Sequence, residues 1–170
     1  MPIQSTLAKA EADLRAGRTP VARQRLRSLV NSCPTELVAR RRLAEVYRLY
    51  GEPSQAGRWN YLEEDADPAE TAAFEARYPD PLDRMAALAW RGHERHAATE
   101  HARARLAALR ETAGDRLGRP VHWHELDAAR PSDTSSHDDG TAGCVLLVVA
   151  AVVVAFLAVV GAVTAVGWML

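Results

Sequence analysis

Apolar and polar positions divide the chain into two parts of different character. From Cys144 to Leu170 there is no charged residue, and beyond Cys144 the only strongly polar side chain is Thr164. Roughly 20 apolar helical residues cross a hydrocarbon core, so this run predicts one C-terminal transmembrane helix over 144–170. Before it, apolar residues recur at helical spacing, and nothing reads as a sheet. Helices are expected to begin near residues 6, 20, 36, 54, 68 and 81. Thr19-Pro20 and Glu52-Pro53 mark two starts, and Asp67-Pro68-Ala69-Glu70 and Asp80-Pro81-Leu82-Asp83 mark two more, each reading as cap, first-turn Pro and carboxylate. The helix from 81 carries Leu82, Met85 and Leu88 or Ala89 on one stripe, and Gly92 is expected to end it. A further helix over 96–113 has Leu106 and Leu109 on its apolar face. From 114 the pattern breaks at Gly114, Gly118 and Pro120, and 128–143 has the Pro/Ser/Asp/Gly composition of a linker. The expected organisation is an all-α domain over 1–113, a flexible linker over 114–143 and the anchor over 144–170.

Sliding the chain against itself by 34 residues aligns Ala10 with Ala44, Glu11 with Glu45, Gly17 with Gly51, Ala22 with Ala56 and Pro34 with Pro68. A period of 34 is that of one tetratricopeptide helix–turn–helix unit. The alanines fall where paired helices pack closely. The glycines fall in the turn, where left-handed backbone costs them little, and the prolines fall where one pair gives way to the next. RLAEVYRLYG, with Leu43, Ala44, Tyr47 and Gly51, resembles the tetratricopeptide pattern. The first unit departs from it at Lys9 and Asp13, and the second at Asn60. A generic pair of helical hairpins with a chance period is the alternative.

The segment RLAEVYRLYGEPSQAGRWNYLEED with the following ETAAFEARYPDPLDRMAALAWRG also resembles an uncharacterised family of short, Arg/Ala-rich bacterial proteins of unknown function. That resemblance covers roughly residues 5–110. It implies a helical-repeat fold and nothing about activity.

Twenty of the 21 basic residues are Arg. With abundant Ala, this fits the codon bias of a high-GC bacterial genome. Cys33 and Cys144 are the only cysteines, a pattern that fits a reducing compartment. Cys33, before Pro34 and without a His or Asn partner, reads as a half-buried small residue. The N-terminal residues lack the apolar core of a secretory signal. Arg119 and Arg130 precede the apolar tail and no charge follows it, so the N-terminal domain is expected on the cytoplasmic side.

Charge is uneven. Residues 1–50 carry ten Lys/Arg against four acids, 51–83 two against nine, and 84–143 nine against nine. Either the basic and acidic blocks face each other in the fold, or one of them is a ligand surface. In a tetratricopeptide-like array the first helices of the pairs line a groove. Here they would present Val38, Arg41, Arg42, Glu45 and Arg48, together with Leu7, Glu11 and Leu14. Guanidinium forks suit carboxylates, so Arg41, Arg42, Glu45 and Arg48 are the expected partner-binding residues, for an acidic or extended protein segment. The other outcome is that Arg40, Arg41 and Arg42 pair with the acidic block at 63–70. Anionic lipid is a further candidate for the basic block. No nucleic-acid partner is expected, because the block has no interleaved aromatics beyond Tyr47 and Tyr50 and the whole chain is near neutral.

No phosphate loop, nucleophile elbow or dinucleotide fingerprint occurs, and no cofactor is expected. Six histidines raise metal chemistry. His93, His96 and Glu100 at i, i+3 and i+7 would share a helical face, and zinc takes such donors, although the spacing is not that of a catalytic HExxH. His122-Trp123-His124-Glu125 is a second set, in an expected loop, with Trp123 packing that loop onto the helices. In the tail, Ala151/Ala155, Ala158/Ala162 and Gly161/Ala165 are small-xxx-small pairs suited to helix dimerisation. The functional expectation is a tail-anchored helical-repeat adaptor. The alternatives are a metal-dependent enzyme or regulator using His93, His96 and Glu100, and a structural membrane subunit acting through its transmembrane helix.

Overall fold

A computed structural model describes residues 3–129, and these residues form a single helical body. Its elements are α1 (Ile3–Arg15), α2 (Thr19–Ser32), α3 (Leu37–Leu49), α4 (Pro53–Asn60), α5 (Pro68–Arg77), α6 (Pro81–Leu88), a 3-10 turn (Glu94–His96), α7 (Glu100–Leu117) and α8 (Trp123–Ala129). No strand occurs among the described residues. The expected starts agree to within a few residues. Residues 130–143 of the expected linker and the apolar run over 144–170 lie outside the described residues.

Each of α1 to α4 packs against the next, as in an array of antiparallel hairpins. Ala10, Ala22, Ala44 and Ala56 are all buried, at 2% exposure or less. A methyl side chain lets the helix axes approach at those crossings. Gly17 and Gly51 have φ of +72° and +68°, and a Cβ at either would meet nothing within 4 Å. The turn conformation, not lack of room, selects glycine there. Asp67 caps α5 by accepting from the Ala69 and Glu70 amides, and Asp80 caps α6 by accepting from Leu82. Glu70 does not close a capping box; its carboxylate goes to Arg48 of α3.

Two apolar clusters result. The first joins α1 to α4 through Leu7, Leu26, Leu43, Tyr47 and Trp59. The second joins α5 to α8 through Phe74, Met85, Leu88, Trp90, Leu106 and Trp123. Leu7 lies in the first cluster and Leu14 packs against it. At i, i+3, i+7 they share the Ala10 stripe, so they are core, not groove.

The C-terminal part departs from the expected boundaries. α6 stops at Leu88 because Ala89 takes a left-handed conformation, φ 55°, before Gly92 is reached. The next helix starts at Glu100, not 96, where the Thr99 hydroxyl accepts from the Ala102 amide. It runs through Gly114 to Leu117 and ends on Gly118, φ +66°. Gly114 does not break the helix; it admits the returning chain, since a Cβ there would lie 3.2 Å from the Arg119 carbonyl oxygen. The expected domain boundary at 113 therefore falls inside α7. Val121 and Trp123, at 1% and 3% exposure, belong to the core, so residues 114–126 are part of the helical body.

Two helix backbones come close at Gly57 of α4. A Cβ there would sit inside the van der Waals envelope of the Glu70 carbonyl and within 3.1 Å of the Thr71 amide nitrogen. The backbones of α4 and α5 touch, so no side-chain rotation can relieve an added methyl. Overpacking ordinarily costs about 1–3 kcal/mol, and Gly57→Ala is expected at or above the top of that range despite alanine's better helix propensity. Urea unfolding of this variant beside Gly17→Ala, an open site where left-handed strain costs about 1 kcal/mol, checks the ordering.

Candidate partner-binding face

The residues expected to bind a partner stand on the outer side of α3. Leu37, Ala39, Arg40, Leu43, Ala44, Val46 and Tyr47 face inward. This leaves Val38, Arg41, Arg42, Glu45, Arg48 and Leu49 on the remaining arc. Val38 and Leu49, at the two ends of this arc, are 43% and 69% exposed.

The four site residues separate into two pairs. Arg41 and Arg48 reach across to the acidic block. The Arg41 guanidinium lies 3.1 Å from Glu63, and Arg48 binds Glu70 with two parallel bonds of 2.6 and 2.8 Å. Hydrogen bonding to Glu70 holds the Arg48 pKa above its usual value. Arg42 and Glu45 face the other way. Arg42 donates to Glu45 at 2.9 Å and pairs with Glu11 of α1 at 3.0 Å, which sets the first helices of the two hairpins side by side. The Glu45 hydrogen bond and charge raise the Arg42 pKa. The basic block thus faces the acidic block through Arg41 and Arg48, and it faces α1 through Arg42.

Arg40 belongs to neither arrangement. It is 1% exposed and donates to the carbonyls of Leu88 at 2.7 Å and Pro34 at 3.3 Å, with its Cζ 5.2 Å from the Trp59 ring centroid. Burial, followed by the nearby Arg58 charge, drives its pKa down to about 9.

The histidine sets are rearranged. His93, His96 and Glu100 do not share a helix: His93 caps the 3-10 turn by accepting from the Arg95 amide, His96 ends that turn, and Glu100 begins α7. The extended backbone of Ala97 and Thr99 breaks the helical register that their spacing assumed. Instead His93 lines a cavity of about 260 Å³ with His122, His124, Glu94, Arg110 and Trp123. The His122 and His124 rings stack at 5.3 Å. Among the described residues no group of three or more His, Cys, Asp or Glu is disposed to hold a metal.

Within that cavity Glu94 is the organising group. Its carboxylate accepts from Arg110 Nε at 2.6 Å and from Trp123 Nε1 at 3.1 Å, which fastens the start of α8 to the 3-10 turn and α7. Nothing in the spacing of residues 94, 110 and 123 signalled this contact.

Among the described residues neither face carries a recognisable catalytic constellation. The chain belongs to the family of unknown function DUF6584. The DUF6584 model matches residues 1–167, which include the helical body and nearly all of the apolar run. No curated protein and no solved structure matches the chain. Membership in DUF6584 therefore brings no activity with it, and function must be argued from the residues. Among the described residues no helix is long and apolar enough to cross a membrane.

The Glu94 arrangement has a pH consequence. Burial alone would raise its pKa. Its own backbone amide, Arg110 and Trp123 outweigh that and hold the carboxyl below its ordinary 4.5. A carboxylate with a lowered native pKa stabilises the fold above its unfolded value, and that contribution is lost as pH falls through the native value. Glu94→Gln is expected to cost about 1–3 kcal/mol at pH 7. The gap from the parent should narrow steadily below pH 4.5 in urea titrations at several pH values.

Proposed function

We propose that this chain is a helical-repeat adaptor of tetratricopeptide-like construction, held at a membrane by its apolar C-terminal segment with the helical body on the cytoplasmic side. Its partner is a protein, received as an extended segment along the outer arc of α3. The observation that carries the reading is that arc itself: exposed Val38 and Leu49 at its ends, with Arg42 and Glu45 between them. An arc of this make-up matches a segment with apolar residues spaced around an acidic one. Arg42 sits 43% exposed between two carboxylates that are themselves 47% and 39% exposed. Such pairs contribute about 0–1 kcal/mol, so exchanging Glu11 or Glu45 for a partner's carboxylate costs little. Arg41 and Arg48 act behind this arc by fixing α3 against the acidic block, since Glu63 and Glu70 are nearly covered, at 11% and 12% exposure.

The membrane part of the reading is supported by sequence alone, by 27 uncharged residues that the family model largely includes. In this arrangement the partner is concentrated at the bilayer by tethering, which raises its effective concentration without any further contact.

Two experiments test the two halves separately. In-cell crosslinking of the full chain, read by mass spectrometry, should capture a partner whose recovery falls at least about tenfold in Arg42→Glu/Glu45→Arg. The far-ultraviolet circular dichroism and melting point of the variant should stay near the parent's. Recovery unchanged in that variant would remove the α3 arc from the interface. For the anchor, Val153→Arg with Leu157→Arg should shift the protein from the carbonate-resistant membrane fraction to the supernatant, since each Arg near a bilayer midplane costs about 2.5–3.5 kcal/mol on insertion scales. A parent chain that already partitions to the supernatant would end the membrane reading and leave the adaptor reading standing.

A further inference from the structure

Between α1 and α2, on a side of the first hairpin away from the α1–α3 contact, lies a groove of about 470 Å³. It is lined by Thr6, Lys9, Arg25, Ser28, Ser32 and a floor of Leu29 and Cys33. Thr6 and Lys9 are one turn apart on α1. Arg25, Ser28 and Ser32 follow at i, i+3 and i+7 on α2, so one stripe of each helix faces the same space. Glu11, the α1 residue that meets Arg42, is two positions from Lys9 and falls on a different face of the helix.

We infer that this groove is a binding site for a phosphate monoester. It offers two cations and three hydroxyls, and no carboxylate lines it. Lys9 is the single lysine of a chain that otherwise uses Arg at every basic position. It is exposed, and it has no carboxylate partner among the described residues. Arg25 is held from behind. Asp13 accepts from its Nε at 3.1 Å and binds Arg18 with the other oxygen at 2.8 Å. This contact orders the guanidinium and leaves its terminal amino groups for another acceptor. Asp13 is shared by two arginines, so the cluster with Lys9 keeps an excess of positive charge. Ser32 Oγ donates to the Ser28 carbonyl at 3.0 Å, an exposed bond that a better acceptor can replace.

The donor set favours a tetrahedral dianion over a carboxylate. A phosphate monoester presents three terminal oxygens and carries about −1.5 to −2 charge at neutral pH. Two cations and several hydroxyls can surround three oxygens, whereas a carboxylate would leave part of that set without an acceptor. The apolar floor formed by buried Leu29 and half-buried Cys33 gives the carbon side of an ester a surface that a bare ion would not use. The volume falls within the range of small-ligand clefts, about 300–1,000 Å³. This site is independent of the adaptor reading and survives its failure.

The lone lysine makes the test direct. The full-length protein in zwitterionic detergent is dimethylated at its amines with ¹³C-formaldehyde, which keeps the charge and gives Lys9 a signal distinct from the N-terminal amine. At constant pH the protein is titrated with O-phosphoserine, with L-glutamate, and with sodium chloride at matched ionic strength. The expected result is a saturable shift of the Lys9 signal with O-phosphoserine, an unmoved N-terminal signal, and at least about tenfold weaker binding of glutamate. Ser28→Glu and Ser32→Glu each place a carboxylate beside the cations on an exposed helical position, and each should weaken O-phosphoserine binding by about tenfold or more. Either variant serves if circular dichroism shows the other misfolded. A Lys9 response reproduced by sodium chloride, a glutamate response equal to that of O-phosphoserine, or undiminished binding in a folded variant would overturn the assignment.

Discussion

One buried guanidinium joins the two halves of the core. Arg40 projects from α3, between the cluster built on the first two hairpins and the cluster built on the last four helices. Its planar head bridges them: one face lies near Trp59 of the first cluster, and a terminal amino group donates to the Leu88 carbonyl at the end of α6. That carbonyl belongs to the last turn of a helix, where partial negative charge collects and a cation is favoured. The Pro34 carbonyl, in the loop before α3, takes a second bond. No carboxylate shares the site, so desolvation is compensated only by carbonyl dipoles and an aromatic face. The lowered pKa of about 9 is the signature of that incomplete compensation. The arrangement tolerates little movement of α6 relative to α3, because any separation would leave a charge buried without acceptors.

The same helix also organises the surface. α3 carries Arg at 40, 41, 42 and 48, and geometry divides them among three tasks. Arg40 enters the core. Arg41 and Arg48 fix α3 to the acidic block at the α4–α5 connection and the start of α5. Arg42 alone stands between α1 and α3. A tract that looks like one basic patch in sequence therefore points in three directions, set by the 100° step of the helix. Little of the block's charge is left for a polyanion. On the first hairpin, Lys9 lines the groove with Arg25 and has no carboxylate partner among the described residues.

What the sequence disclosed follows from how local each signal is. The starts of α4, α5 and α6 are legible because each carries a first-turn proline, and α5 and α6 also carry a capping Asp, signals that act within one turn. The repeat was legible because Ala10, Ala44, Gly17 and Gly51 answer to the geometry of a single hairpin. The direction of Arg41 and Arg48 remained open in sequence, since it depends on where α5 returns. Gly57 was overlooked: a mid-helix glycine has no local signature when its reason is a carbonyl 13 residues later. The end of α6 was misplaced because Ala89 adopts a left-handed conformation that alanine has no intrinsic preference for. The spacing of His93, His96 and Glu100 fits one helical face, but the extended backbone at Ala97 and Thr99 separates the first two from Glu100, and His93 meets His122 and His124 through a return of the chain that spacing does not encode.

That meeting point has a mechanical role whatever occupies it. α8 is short, seven residues, and an isolated helix of that length is not stable in water. It persists because Trp123 is buried and its indole N–H ends on Glu94, which Arg110 of α7 also grips. The last described residue, Ala129, therefore emerges from a helix fastened to the core, not from free chain. If the tail is held in a bilayer, as the adaptor reading has it, force on the tail enters the helical body through α8, where Leu126 packs on the core, Glu125 pairs with Arg119 and Trp123 binds Glu94. A carboxylate bound by an indole and a guanidinium suits that position. Its bonds are directional and charge-assisted, so the junction resists bending more than an apolar contact of equal area would.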